Sequence, residues 1–199
     1  KILSAGGVVA FPTETVYGLG AISTSDKGVS KVFQVKNRPK FNPLIIHVEN
    51  TEMALKLCSF SKKASLLAKK FWPGPLTIIA KKKTNISISA LATAGLDTIA
   101  VRVPRDRIAQ KLIRCVGAPI AAPSANISGK LSCTTADDIK EKLSERIDGV
   151  ILGAQCELGL ESTVIDCSNN ACNLVRLGSI PVEQLKEFLN EKEIPDFNS

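Results

Sequence analysis

The chain is poor in the residues that covalent and metal-assisted catalysis use most. Among its 199 residues there is one histidine, one tryptophan, one tyrosine and one methionine. The six cysteines, at 58, 115, 133, 156, 167 and 172, never form Cys-x-x-Cys, so the usual Cys/His zinc patterns are missing. No Gly-x-Ser-x-Gly elbow, no Ser-His-Asp set and no carboxylate pair suited to glycoside hydrolysis can be read. Ser128-Gly129-Lys130 imitates a phosphate loop, but Ser124 stands where the pattern needs glycine and Leu131 where it needs Ser or Thr. No apolar run reaches the ~18 residues of a membrane-spanning helix. No secretory leader is visible, although a start at Lys1 rather than Met leaves room for an upstream segment. These absences predict free thiols in a reducing, cytoplasmic setting and no membrane association. They also predict chemistry that works by positioning reactants and neutralising charge.

What is present fits that expectation. Hydrophobic residues make up 44% of the chain, and a chain of this length buries roughly 70% of its unfolded surface. The formal charge of +7 suits polyanions such as ATP or RNA. Apolar periodicity predicts strands at Gly7–Phe11, Leu44–Val48, Leu76–Lys81, Thr98–Val103 and Ala118–Ala121. Later strands are expected at Val150–Leu152, Thr163–Asp166 and Asn173–Arg176. Helices are predicted over Ser25–Lys36, Ser61–Phe71 and Arg105–Val116. A Thr135/Asp138 capping box is expected to open another that carries Ile139, Leu143 and Ile147. A final helix is expected behind a Ser179 cap, with Leu185, Phe188 and Leu189 inward. This mixture predicts an α/β fold, a twisted mixed parallel and antiparallel sheet flanked by helices. The expected organisation is one domain over residues 1–190 and a frayed tail over 191–199.

Four polar stretches interrupt the apolar pattern. In Phe-Pro-Thr-Glu-Thr-Val-Tyr-Gly-Leu-Gly, residues 11–20, a buried strand ends in hydroxyls and a carboxylate, with two glycines that let backbone N–H groups approach a ligand. Lys36 and Arg38 stand at a helix exit, where Pro39 forces Arg38 out of helical geometry. Together they suit a phosphate, or simply complement the helix C-terminus. Ser124 and Asn126 project the same way if the segment is extended, or form an ordinary turn. Glu161-Ser162-Thr163 offers a hydroxyl pair for an anion, or starts a strand. His47 would share a strand face with Ile45, opposite Leu44, Ile46 and Val48, as a structural residue or as part of a site. Trp72 is expected to pack under the Trp-Pro-Gly-Pro turn, and Thr77 could face a site.

In order, these stretches resemble the YrdC-like family of threonylcarbamoyl-adenylate synthases. The likeness runs through Gly6–Leu19, Lys36–Pro39, Asn42–His47, Trp72–Thr77, Val101–Pro104, Ala122–Gly129 and Ser162–Asp166. The resemblance implies a basic concave surface. It implies that L-threonine, bicarbonate and ATP, with Mg²⁺ accompanying the nucleotide, become threonylcarbamoyl-AMP and pyrophosphate. Partner proteins would then carry the threonylcarbamoyl group to tRNA. Lys36 and Arg38, taken as the catalytic pair, would join Ser124 and Asn126 in binding ATP, with Thr98, Arg102 and Arg176 at the nucleotide end. Thr13, Thr15, Tyr17, His47 and Ser162 would surround threonine and bicarbonate. Protein side chains would hold no metal of their own. Arg176-Leu177-Gly178 departs from the family's frequent Arg-Pro-Gly, and the chain is expected to lack the second domain of longer relatives. Two other classes compete: a double-stranded RNA or tRNA-binding module, and the carbamoyl phosphate-handling domain of hydrogenase-maturation proteins.

Overall fold

A computed structural model describes residues 1–169 and 171–189. The predicted tail over 191–199 lies outside the described residues.

Among the described residues, ten strands form one mixed sheet. They are β1 (Val9–Phe11), β2 (Gly18–Ile22), β3 (Ile45–His47), β4 (Cys58–Ser59), β5 (Leu76–Lys82), β6 (Thr98–Arg102), β7 (Ile120–Ala121), β8 (Gly149–Val150), β9 (Thr163–Asp166) and β10 (Asn173–Arg176). Their order is β10-β9-β5-β6-β3-β7-β2-β1-β8, and β4 pairs with β5 off this path. The β1/β8, β3/β6 and β5/β9 pairs are parallel, and the other pairs are antiparallel. The mixed sheet predicted from the sequence is therefore observed.

Among the described residues, six α-helices accompany it: α1 (Asp26–Lys36), α2 (Thr51–Leu57), α3 (Lys62–Phe71), α4 (Arg107–Val116), α5 (Ala136–Leu143) and α6 (Val182–Leu185). Side-chain caps explain most of their starts. Ser25, Asn50, Ser61, Asp106 and Thr135 each accept a hydrogen bond from a first-turn N–H, and the Thr135/Asp138 capping box is complete. The helix after the box stops at Leu143, which leaves Ile147 beyond it in an extended conformation. Ser179 caps nothing. Its hydroxyl donates to the Leu160 and Glu161 carbonyls, and Pro181 stands at the N-cap of α6. The strand expected at Val150–Leu152 reduces to Gly149–Val150, with Leu152 exposed.

Three elements escaped the sequence pattern, β2, α2 and the two-residue β4. β2 is Gly-Leu-Gly-Ala-Ile, a composition poor for strands. Gly20 is there because a Cβ would lie 2.7 Å from both Phe11 Cε1 and Ile120 Cγ2. α2 has only seven residues, too few to show a helical period.

Cys167 and Cys172 form a disulfide across the β9–β10 turn, with Cα atoms 4.3 Å apart, while Cys58, Cys115, Cys133 and Cys156 are free. The expectation of six free thiols is corrected here. An antiparallel hairpin sets the two residues at bridging distance, which their separation in sequence does not reveal. Among the described residues, no helix is long and apolar enough to cross a membrane.

Candidate active site

The loops at one end of the sheet converge on a cavity of about 90 Å³. The segment after β1 brings Thr13, Thr15 and Tyr17, the loop after α1 brings Arg38 and Pro43, and β3 brings Ile45 and His47. Arg102 ends β6, Ser124 follows β7, Glu161 and Ser162 precede β9, and Arg176 ends β10. Backbone bonds lace these loops together: Ala125 N–H donates to the Tyr17 carbonyl, Leu19 N–H to Pro123, and Gly159 N–H to Thr15.

The Thr-Glu-Thr segment is held by its own side chains. Thr13 Oγ1 lies 2.7 Å from Thr15 Oγ1 and donates to the Val16 carbonyl, also at 2.7 Å. Tyr17 is fully buried, and its hydroxyl accepts from Gly153 N–H at 3.2 Å. Burial raises the Tyr17 phenol above its ordinary value, so at neutral pH it is a neutral hydrogen-bonding group.

Glu14, between the two threonines, points away from the cavity into a buried ion pair. Its Oε1 accepts from Arg102 Nη2 at 2.7 Å, and the two side chains are 3% and 4% exposed. Its Oε2 accepts from the N–H groups of Arg105 and Asp106, at the entry to α4. Burial opposes the carboxylate, but Arg102 and these donors outweigh it and hold Glu14 below its ordinary pKa. Arg102 Nε donates to the Gly74 carbonyl at 3.3 Å, and Nη1 has no protein partner among the described residues. A clamped guanidinium with a free edge on the cavity wall suits a carboxylate or a phosphate.

Lys36 sits behind the wall rather than on it. It is 1% exposed, and Nζ donates to the carbonyls of Ser124 and Asn126 and to Asn126 Oδ1, the last at 3.1 Å. Burial, and next the charge of Arg38, lower its pKa to about 8. At neutral pH the ammonium therefore persists and can serve three acceptors. Asn126 is equally committed. Its Oδ1 accepts from Ser124 Oγ at 2.6 Å, and its Nδ2 donates to the Ile127 and Lys130 carbonyls. The Lys-x-Arg and Ser-x-Asn stretches do meet, with Lys36 and Asn126 buckling the loop that presents Ser124. Asn37 makes the helix exit possible by adopting a left-handed conformation, φ 53°.

Arg38 lines the cavity, and its Nε and Nη2 donate only to the Asn42 and Pro43 carbonyls, at 3.1 and 3.0 Å. It has no carboxylate partner among the described residues. Arg176 does: Nη1 meets Glu161 Oε2, while Nε and Nη2 donate to the Ser162 carbonyl at 3.1 and 2.8 Å. Ser162 Oγ lies 2.8 Å from Thr77 Oγ1, so Thr77 reaches the site through Ser162.

His47 shares the cavity wall with Ile45, while Leu44, Ile46 and Val48 are buried in the core, as the alternation predicts. Burial, and next Arg102, push its pKa down to about 3. It is a neutral imidazole at physiological pH and supplies no positive charge. Trp72 packs against Phe60 with Nε1 donating to the Leu76 carbonyl, as a structural residue. Thr98 starts β6, paired with Lys81, at the opposite end from Arg102. Four residue steps along the strand separate the two, roughly 13 Å, so Thr98 is not on the cavity wall.

The sequence brought Glu14 and Glu161 into view within their polar stretches but not their role, which is to organise the cations. It also missed the close approach at Gly178. A Cβ there would stand 2.3 Å from the Glu161 carbonyl oxygen and 2.5 Å from Thr163 N. Backbone cannot yield as a side chain can. Gly178→Ala is expected to cost about 1–3 kcal/mol in a denaturant titration and to displace Arg176. Wild-type stability in that variant would contradict a close backbone approach at Gly178.

A mixed sheet bearing a hollow lined by three guanidiniums and several hydroxyls defines an anion-receiving α/β domain. The chain belongs to the Sua5/YciO/YrdC family, whose model, described as telomere recombination, matches residues 1–178. A threonylcarbamoyl-AMP synthase of Pyrococcus abyssi is 45% identical over 190 residues, covering 95% of this chain and 55% of that protein. One of Bacillus subtilis is 45% identical over 189 residues, covering 94% and 54%. The crystal structure of P. abyssi Sua5 complexed with L-threonine superposes with a TM-score of 0.92 at 44% identity, covering 98% of this chain and 57% of that one. The chain thus spans about half the length of the curated relatives it matches.

Proposed function

We propose that this chain makes threonylcarbamoyl-AMP and pyrophosphate from L-threonine, bicarbonate and ATP. The observation that carries the reading is Arg38, a cavity cation left without a carboxylate, facing a wall of hydroxyls across one small hollow. The likeness to a chain solved with L-threonine supports it.

The reaction needs no covalent protein intermediate. The threonine amine attacks the bicarbonate carbon, and water leaves to give a carbamate. A carbamate oxygen then attacks the α-phosphorus of ATP. The bond from that phosphorus to the bridging oxygen breaks, and pyrophosphate departs with the electron pair. Two anions must meet, so the protein's task is to screen charge and fix geometry. In this reading Arg38, Ser124 and Arg176 receive the phosphates, with Lys36 and Asn126 holding the Ser124 loop. The free edge of Arg102 takes the amino acid carboxylate, and Thr13, Thr15, Tyr17, His47 and Ser162 surround threonine and the carbamate. Assigning Arg102 to the carboxylate moves it from the nucleotide end, where the sequence placed it, because it lies between His47 and the Thr13–Tyr17 segment. Mg²⁺ enters with the nucleotide as part of the substrate. The product would pass to partner proteins that modify tRNA, in the cytoplasm, and residues 1–190 would form the one synthase domain.

The test is pyrophosphate release with threonine, bicarbonate and ATP omitted in turn. Release that requires all three is expected. An RNA-binding module would instead show salt-dependent RNA affinity and no such release, and would overturn the reading.

A further inference from the structure

The hollow already contains an anion that belongs to the protein. Glu161 lies on the cavity wall. One carboxylate oxygen meets Arg176 Nη1, and the other accepts from Ser132 Oγ at 3.0 Å. Burial opposes its charge, yet Arg176, the hydroxyls of Ser124 and Ser132, and Lys36 hold the Glu161 carboxyl below its ordinary range. Its negative charge acts in turn on Lys36, Arg38 and Arg176. A single carboxylate therefore sits among the groups to which the proposed function assigns the phosphates.

We propose that Glu161 is a resident counter-ion of the phosphate subsite, displaced by an incoming polyphosphate, and that it weakens the hold on both nucleotide and pyrophosphate. The inference rests on the proposed function, because it presumes that phosphates enter this hollow. Arg176 Nη1 cannot serve a carboxylate and a phosphate in the same direction at once, and a carboxylate left beside a phosphate repels it. Displacement need not unseat Arg176. Its Nε and Nη2 stay on the Ser162 carbonyl, and Nη2 is also 3.1 Å from Ser162 Oγ. Only the Nη1 edge changes partner. The advantage to the reaction is that pyrophosphate, once formed, meets a competitor for its cations.

The ordinary reading of the Glu161–Arg176 pair is a positioning contact, and it predicts the opposite sign. If Glu161 only holds Arg176 in place, its loss loosens the guanidinium and weakens anion binding. If Glu161 competes, its loss strengthens binding. The experiment is calorimetric titration of inorganic pyrophosphate and of ATP, each with and without Mg²⁺. It uses wild type and Glu161→Gln at pH 7 and fixed ionic strength, with Glu161→Ala as a second variant and thermal unfolding to confirm folding. Glu161→Gln is expected to bind both anions about three- to tenfold more tightly, the size of effect for a partly screened charge at close range. Unchanged or weaker binding in the folded variants overturns the inference and leaves the proposed function standing. Weaker binding only with Mg²⁺ also overturns it, because it makes Glu161 a metal ligand. Wild-type protein that binds neither anion overturns both.

Discussion

Replacing Glu14 with alanine is expected to lower the unfolding free energy by about 3–5 kcal/mol, the cost of stranding one member of a buried ion pair. The substitution leaves Arg102 as a buried charge with only the Gly74 carbonyl, and it removes the acceptor for two N–H groups at the entry to α4. For a chain of this size that corresponds to a fall in melting temperature of roughly 10 °C. Glu14→Gln should lose less, because an amide oxygen still accepts from the backbone. The pair also predicts a pH dependence. The folded pKa of Glu14 is depressed below its ordinary value of 4.5. Its stabilisation is therefore complete above the unfolded pKa and lost as pH falls through the folded value. Acid titration of wild type should show this loss below about pH 4.5, and Glu14→Ala should lack that part of the slope. Urea unfolding at pH 7 and at a series of lower pH values measures both. A loss under about 1 kcal/mol would mean that the pair behaves like an exposed one.

Arg38→Ala is expected to reduce pyrophosphate release by about 10²–10³-fold, the usual consequence of removing one preorganised charge-stabilising group. Its stability should change by less than about 1.5 kcal/mol, since only two hydrogen bonds to loop carbonyls are lost. Lys36→Ala should differ. The sequence motif treats Lys36 and Arg38 as equivalent phosphate cations, whose loss would abolish activity without unfolding. The structure separates them, because Lys36 is buried and alanine would strip the ammonium donor from three oxygens, of which the Ser124 carbonyl keeps the Asn126 N–H and Asn126 Oδ1 keeps the Ser124 hydroxyl. Lys36→Ala should therefore lose activity together with about 2–3 kcal/mol of stability. Measuring release and thermal unfolding on both variants decides the matter. Equal stability in the two would contradict the buckle assigned to Lys36.

The difference between these two residues shows what a sequence can display. Lys36 lies seven residues after Val29, near the inward face of α1, and Pro39 sends Arg38 elsewhere, so both directions are legible in the sequence. What the lysine meets on that inward side is a loop about ninety residues away, and no local pattern encodes such a partner. The same holds for Glu14. Its place between two threonines suggested a ligand group, whereas its partners come from β6 and the start of α4. His47 was readable down to its strand face, because alternation is a local property. Its neutral state depends on burial and on Arg102, which are not local. Thr98 falls away from the cavity wall because it starts β6 while Arg102 ends it, and the direction of a strand relative to a site is not a local property. Arg176 was legible as a cation but not as one half of a pair with Glu161, since the β9–β10 hairpin creates that contact.

The most direct test is a crystal structure of this chain with L-threonine and a non-hydrolysable ATP analogue. The account predicts phosphate oxygens within hydrogen-bond distance of Arg38 and Ser124. It also predicts the threonine carboxylate at the free edge of Arg102, with Lys36 still bound to the Ser124–Asn126 loop. Ligands seated outside the hollow, with Arg38 facing solvent, would contradict it.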